Sequence, residues 1–382
     1  MITRQDVERL ADFYSAEPSA VTFYFAPITP QDRSHRKEEI MIKDLIRDQV
    51  RTLGEGSVRL KQDLEKVQQR AETLRESSVP KAIFACSDRG IWEEYDVEDL
   101  TGDTSVFIGR HFHLKPLVST IGHSESVCIV LVDREVNRLL KYQNGKVIED
   151  QFPEQDREQR DVRAGVGTGG SSKDERRVGH EVMHHFKTLT NHLLYLYERD
   201  EFEGLMIGGR PEMLPTFTQY LSTPVQQVLI GTFHCDPGLC TKEQVCDEVE
   251  RMLEERRISE RQGLLREVTG ESKRNGRGAV GLAKVLQSLE RGEVQQLVIG
   301  SDFGAKGTLC PNCSHLESRM LDQCPACSTH MLEYDDITDV VIARAYGSKA
   351  DVVVLDEPEF QNRIGALLRF RADQNTPKKL AS

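Results

Sequence analysis

The chain has 382 residues, of which 38% are hydrophobic and 29% charged, as is typical of a globular protein with two or three domains. Its formal net charge of −12 argues against a basic nucleic-acid-binding protein, so any contact with nucleic acid is expected to be local. A charged N-terminus, only short apolar runs and an odd count of nine cysteines predict no signal peptide, no membrane span and a reducing, cytoplasmic compartment.

Residues 1–121 are predicted to form an N-terminal α/β domain. The apolar runs VTFYFA at 21–26 and KAIFAC at 81–86 predict strands. Between them, apolar residues recur at spacings of three and four, as on one face of a helix. These residues are Ile42, Ile46, Val50 and Leu53. A second helix is expected from Leu60 to about Arg75.

A second α/β domain is predicted over residues 122–238. Two apolar strands are expected at its start. Asn144-Gly145, shortly after the second strand, is a hairpin turn signal. A polar, glycine-rich segment without hydrophobic periodicity then predicts an exposed loop. The expected elements are strands at 126–133 and 138–142, a helix at about 175–200, strands at 203–209 and 225–233, and between these a short helix that Pro211 could start.

A third α/β domain is predicted over residues 239–382, with an insert at about 305–333. Helices alternate with apolar strands here, which favours an α/β arrangement. The expected elements are helices at 241–268 and 279–291, a strand at 293–301, a helix at 336–346 and a strand at 350–357.

Two cysteine pairs in the insert repeat one pattern. Cys310-Pro-Asn-Cys313 and Cys324-Pro-Ala-Cys327 are separated by ten residues, as expected of two turns that each offer two thiolates to one tetrahedral ion. Four thiolates leave no position for a reacting water, so the spacing predicts a single structural zinc ion. A redox-active Cys-x-x-Cys pair or a ribbon without an ion are the alternatives, and His315 is a nearby spare ligand, as is His330.

Other cysteines do not show this spacing. His234, Cys235, Cys240 and Cys246 lack paired turns and are not expected to bind a metal.

The glycine-rich loop at 163–177, RAGVGTGGSSKDERR, resembles nucleotide-binding motifs only superficially. Gly165, Gly167 and Gly170 match G-x-G-x-x-G, but the charged residues before them cannot form the buried strand of a dinucleotide site. A phosphate-binding P-loop also fails, because Ser171 stands where that motif needs lysine.

A second motif follows the loop. His180-Glu181-Val182-Met183-His184 spells H-E-x-x-H, the ligand pair and general base of zinc peptidases. On a helical wheel both histidines point away from the apolar stripe, and no third-ligand helix follows. Solvated histidines are therefore the preferred interpretation, and a peptidase remains an alternative.

The order of elements resembles the archaeal and eukaryotic class-one peptide chain release factors and their relative Pelota, over about residues 122–370. The resemblance rests on VLVDREVNRLLKYQNGKV, a polar loop with Gly169-Gly170, a charged helix, EGLMIGG and a zinc ribbon inside a later α/β domain. Residues 1–121 resemble only the bacterial branch, which includes the ribosome hibernation factor Balon. The resemblance implies three α/β domains in a row, the third carrying an inserted four-cysteine zinc ribbon.

In that family the loop carries Gly-Gly-Gln and enters the peptidyl transferase centre. Here Ser171 replaces the glutamine, and the family's stop-codon signatures are absent from residues 1–121. The resemblance thus implies a factor that occupies the A site of idle or stalled ribosomes without hydrolysing peptidyl-tRNA, with elongation factor Tu or another translational GTPase as a partner. The alternative is a release factor that hydrolyses peptidyl-tRNA, with the backbone amides of Gly169, Gly170 and Ser171 positioning the water. The residues expected to contact rRNA or tRNA are Arg163, Gly167, Gly169, Gly170, Ser171, Ser172, Lys173, Arg176 and Arg177.

Overall fold

A computed structural model gives the fold of residues 2–27, 35–53, 58–74, 79–97, 100, 103–121, 126–133, 137–143, 145–150 and 171–371. The helices are α1 (Arg4–Ala11), α2 (His35–Leu53), α3 (Val58–Leu74), α4 (Lys115–Ile121), α5 (Ser171–Tyr197), α6 (Leu214–Thr218), α7 (Thr223–Gln227), α8 (Lys242–Lys273), α9 (Leu282–Glu290) and α10 (Thr338–Gly347). No helix in these ranges is both long enough and apolar enough to span a membrane.

The strands alternate with these helices, which confirms the predicted α/β class. They are β1 (Ala20–Phe25), β2 (Lys81–Cys86), β3 (Ile91–Asp96), β4 (Ser105–Gly109), β5 (Val127–Val132), β6 (Asn137–Gln143), β7 (Lys146–Asp150), β8 (Gly204–Gly209), β9 (Leu229–His234), β10 (Gly278–Val280), β11 (Val294–Gly300), β12 (Gly307–Leu309), β13 (Leu316–Glu317), β14 (Leu332–Tyr334), β15 (Asp351–Leu355) and β16 (Ile364–Leu368).

The chain divides into two compact units. One combines Met1–Gly122 with Arg261–Ser382, and the other is His123–Glu260. The division into three domains, with boundaries near 121 and 238, stays a prediction.

An antiparallel sheet forms the N-terminal part of the first unit, with strand order β3-β2-β1-β4. All six residues of β1 are buried because both faces of the strand are covered. Phe23 packs with α2 and α3, whereas Tyr24 faces the opposite side, as the alternation of strand side chains requires.

A second sheet lies in the C-terminal part of the same unit, with order β10-β16-β11-β15. Only β11 and β15 are parallel in this sheet. Helices α9 and α10 contribute Leu286 and Val341 to a core that also contains Phe84 of the N-terminal sheet. The two sheets are therefore joined by one continuous hydrophobic core.

A polar clamp also joins these two parts of the first unit. The carboxylate of Asp339, in α10, lies 2.8 Å from Nδ1 of His113 and accepts a hydrogen bond of 3.1 Å from the amide of Leu114. The hydroxyl of the fully buried Tyr24 donates to the carbonyl of His113. Residues just after the N-terminal sheet are thus held against α10.

The second unit contains a five-stranded sheet with order β7-β6-β5-β8-β9, in which β5, β8 and β9 are parallel. Every residue of β5 and β8 is buried. Helix α5 covers one face, and the first half of α8 covers the other. The helix residues buried against the two faces are Phe186, Leu189 and Leu193 from α5, and Val245, Val249 and Leu253 from α8.

One glycine of β8 allows this close packing. A Cβ atom on Gly208 would lie 2.6 Å from the ring of Phe233 and 2.7 Å from a methyl group of Leu131. A side chain at this position would have to displace the buried side chains of Phe233 and Leu131.

Two element boundaries in the second unit differ from those predicted, and a proline lies at each of them. The strand expected at 225–233 begins only at Leu229, because Pro224 lies in the first turn of α7, where its fixed φ favours a helix. The helix that Pro211 was expected to start begins at Leu214 and has Pro215 in its first turn. A third change lies in the first unit, where β10 precedes α9 and Gly281, with φ of 97°, separates them.

The clamp at Asp339 leads to a stability prediction. Replacing Asp339 with Ala removes two hydrogen bonds and should lower the free energy of unfolding by about 2 kcal/mol. Urea unfolding followed by fluorescence of Trp92, the only tryptophan of the chain, reports on this unit. Asp335→Ala is the control, because the Asp335 side chain is 93% exposed and forms a surface ion pair with Lys306. Equal midpoints for the two variants would show that the clamp contributes nothing.

Candidate functional site

The four cysteines of the predicted ribbon lie together. Their sulfur atoms are all within 4.8 Å of one another. The sulfur atoms of Cys310 and Cys327 are 3.4 Å apart, and that of Cys313 lies 3.5 Å from those of Cys324 and Cys327. A disulfide needs about 2.05 Å. Four ligands at the usual zinc–sulfur distance form a tetrahedron with edges of about 3.8 Å, so these thiols fit around one ion.

The first cysteine pair lies in a tight turn, which we call the first knuckle, residues 310–315. The amide of Cys310 donates to the carbonyl of His315 at 2.9 Å, and the amide of Ser314 donates to the carbonyl of Cys310 at the same distance. Ser314 has φ of 59°, a left-handed conformation that closes the turn.

The second knuckle, residues 324–329, repeats this geometry. The amide of Cys324 donates to the carbonyl of Thr329 at 2.9 Å, and the amide of Ser328 donates to the carbonyl of Cys324 at 2.8 Å. Ser328 also has φ of 59°. The repeated Cys-Pro-x-Cys-Ser sequence therefore folds into two equivalent turns, carried by the three-stranded sheet β13-β12-β14.

Hydrogen-bond donors surround the sulfur of Cys327. The hydroxyl of Thr329 lies 3.3 Å from this sulfur. Hydrogen bonds from that hydroxyl, from the Thr329 amide and from Asn312 lower the pKa of Cys327 to about 5. A thiolate is the form that binds a metal ion, so this environment fits a ligand.

Burial differs within each pair. Cys310 and Cys324 are buried, Cys313 is exposed, and Cys327 is intermediate. Met331 packs beside the two buried cysteines. The arrangement resembles a closed site, in which the protein supplies all four ligands.

The nearby histidines do not extend this cluster. His315 directs Nδ1 to the carboxylate of Glu290, at 2.7 Å. Among the described residues, the four cysteines alone form the group of three or more potential ligand side chains. Elsewhere, burial and then the neighbouring Cys240 raise the pKa of Cys235 to about 12, which keeps that side chain a thiol at neutral pH.

Part of the predicted RNA-binding loop lies outside the described residues. This part includes Arg163, Gly167, Gly169 and Gly170. The remaining residues of the predicted site belong to α5. They are Ser171, Ser172, Lys173, Arg176 and Arg177.

Helix α5 starts at Ser171, earlier than the predicted start at about residue 175. Asp174 and Glu175 lie near its N-terminus, where acidic side chains are favoured by the helix dipole. The predicted site at 163–177 stays a prediction.

The two histidines of the H-E-x-x-H motif also lie on α5. His184 is exposed, and the side chain of His180 lies outside the described residues. Within the described part of the chain, no potential metal cluster includes His184.

An ion-pair network at the ends of three parallel strands escaped the sequence analysis. Arg210, just after β8, lies 3.1 Å from Asp236 and 3.7 Å from Asp133, which follow β9 and β5. In the sequence, the signal that could have predicted this network is a charged residue soon after each of the three apolar strands. Arg210 ties these strand ends together.

The cysteine cluster leads to a prediction about metal content. We expect one bound ion per chain, lost in Cys310→Ser because three thiolates leave the ligand set open. Metal analysis of the purified protein measures this number. Cys246→Ser and His184→Ala are the controls and should keep the ion. Two ions per wild-type chain, with one lost in His184→Ala, would instead support the peptidase motif.

Comparison with known proteins locates a family in the middle of the chain. Residues 113–254 match the family model described as bacterial archaeo-eukaryotic release factor family 10. This range includes β5–β9, α5 and the first part of α8. No curated protein sequence matches the chain.

Several solved structures are similar over most of their length. The archaeal translation termination factor aRF1 is 16% identical, with 97% of this chain and 99% of that chain covered and a TM-score of 0.25. Dom34 from S. cerevisiae is 9% identical, with 98% of this chain and 95% of that chain covered and a TM-score of 0.40. Pelota from Archaeoglobus fulgidus is 12% identical, with 96% of this chain and 92% of that chain covered and a TM-score of 0.33. With TM-scores this low, these likenesses support no argument about function. Residues 113–254 of the chain are therefore similar to a family of bacterial archaeo-eukaryotic release factors.

Proposed function

We propose that this protein is a ribosome-binding translation factor that occupies the A site of idle or stalled ribosomes without releasing the nascent peptide. One observation carries the proposal. The segment that matches a release factor family contains a diglycine, Gly169-Gly170, but Ser171 follows it in place of glutamine.

The chemistry of Ser171 supports the absence of peptide release. A glutamine side chain ends in an amide that both donates and accepts hydrogen bonds, whereas serine offers only a short hydroxyl. Serine carries its hydroxyl on the β-carbon, so this group reaches less far from the backbone than a glutamine amide. The group that would assist water in attacking the ester is therefore missing.

Basic residues beside the diglycine support contact with RNA. Lys173, Arg176 and Arg177 lie in the first two turns of α5. Lysine and arginine at such positions commonly bind phosphates and fix the orientation of a protein on RNA. Because the whole chain is acidic, we propose that binding depends on this local cluster.

We further propose that the ion of the cysteine cluster is zinc and that its role is structural. Zinc suits four thiolates and tetrahedral geometry, and a full set of protein ligands leaves no open coordination position. The ion would join two knuckles that belong to a ribbon of very short strands.

Partners and compartment follow from the same proposal. A factor that acts on ribosomes works in the cytoplasm, and relatives of Pelota work with a translational GTPase. We propose elongation factor Tu or another translational GTPase as that partner.

Co-sedimentation tests ribosome binding. The full chain should pellet with purified ribosomes through a sucrose cushion, and binding should weaken as salt rises because phosphate contacts contribute. Replacing Gly169 and Gly170 with Trp should leave most of the protein in the supernatant. Gly263→Trp is the control, since a Cβ at this exposed helical glycine would meet no atom within 4 Å. Wild-type protein that stays in the supernatant at low salt would contradict the proposal.

A reconstituted termination assay separates the proposal from the alternative of a Gly-Gly-Ser release factor. Wild-type protein should release no peptide above background, because Ser171 lacks the amide. The same assay with Ser171→Ala and with the neighbouring control Ser172→Ala completes the test. Peptide release by wild type above background would establish hydrolysis. Release that persists in Ser171→Ala would assign it to the backbone amides, and release lost only in that variant would assign it to the serine hydroxyl.

A further inference from the structure

Glu290 is the last residue of α9 and lies outside the ribbon, yet it holds the residues that follow the first cysteine pair. One oxygen of its carboxylate is 2.7 Å from Nδ1 of His315 and accepts a hydrogen bond of 2.9 Å from the amide of Leu316. These two contacts fix both the side chain of His315 and the backbone just beyond it.

His315 in turn contacts both cysteines of the first knuckle through its backbone. Its carbonyl accepts the amide hydrogen of Cys310 at 2.9 Å. Its own amide donates to the sulfur of Cys313. Any movement of His315 therefore moves the donors and acceptors that place these two sulfur atoms.

A second anchor holds the same knuckle. The guanidinium of Arg344, in α10, donates to the carbonyl of Ser314. Ser314 is the residue in the left-handed conformation that closes this turn. Two helices of the first unit, α9 and α10, thus contact residues 310–316.

The second knuckle lacks such anchors among the contacts of the described residues. Hydrogen bonds of residues 324–329 stay inside the ribbon, linking Cys324 with Thr329 and Ser328 with Cys324. The neighbouring amide of Met331 likewise donates within the ribbon, to Asp322. The two turns thus have the same backbone geometry, but among the described residues only the first is hydrogen-bonded to helices outside the ribbon.

We propose that Glu290 is a positioning residue of the metal centre. It keeps Cys310 and Cys313 in place as a preformed half-site, and Cys324 and Cys327 close on the ion afterwards. Prior ordering of two ligands reduces the entropy lost when the ion binds, and contacts around metal ligands commonly tune affinity in this way. The inference rests on the proposed metal centre.

Zinc affinity of the full chain tests the role of Glu290. Competition with a chromogenic chelator should show about 10- to 100-fold weaker binding in Glu290→Gln, because an uncharged amide oxygen is a weaker acceptor for His315 and Leu316 than a carboxylate oxygen. Glu317→Gln is the control. Glu317 borders the same cleft beside α9, but its carboxylate contacts only Ser318 and Arg319 among the described residues.

Hydrogen exchange provides a second measurement that needs no variant. After the ion is removed from the wild-type protein, the amides of Cys310, Ser314 and Leu316 should remain protected. Those of Cys324 and Ser328 should exchange rapidly. Equal loss of protection in both knuckles would overturn the preformed half-site.

The outcomes distinguish this inference from the metal centre itself. Wild-type protein that binds no metal would overturn the metal centre. Wild-type protein that binds one ion, with the same affinity in Glu290→Gln, would overturn only the positioning role of Glu290.

Discussion

The packing of α5 on β5 and β8 is the interaction on which the rest of the second unit depends. Phe186, Leu189 and Leu193 are fully buried there, and burial of each such side chain stabilises the fold by about 1.5–3 kcal/mol. This apolar stripe fixes the helix against the sheet. Helix α5 begins at Ser171, the residue that follows the diglycine in the sequence.

The first unit combines two parts of the chain that are distant in sequence, so contacts between these parts must hold it together. A shared hydrophobic core and the Asp339 clamp join the N-terminal sheet to α10. The ribbon adds little core of its own, with Met331 and two buried cysteines at its centre. The anchors from α9 and α10 therefore contribute to its order, as would a metal ion held by the four cysteines.

Hydrophobic pattern predicted the larger elements because burial decides them locally. The apolar runs of β5 and β8, the stripe of α5 and the doubled cysteine motif were all visible in the sequence. Strands β12, β13 and β14 were not, since two or three residues carry no periodicity and depend on pairing.

Contacts between distant residues account for the rest of the differences. Glu290 is separated from Leu316 by 26 positions, Arg344 from Ser314 by 30, and His113 from Asp339 by 226. Each of these residues looks like an ordinary surface charge in the sequence. Their partners become apparent only when the folded chain brings these distant residues together.

Electron cryomicroscopy of the full chain bound to ribosomes tests the central claim most directly. Density for the N-terminus of α5 should lie in the A site, with Gly169-Gly170 directed toward the peptidyl transferase centre and an intact peptidyl-tRNA ester where one is present. A chain bound elsewhere on the ribosome, with this helix end facing solvent, would contradict the account.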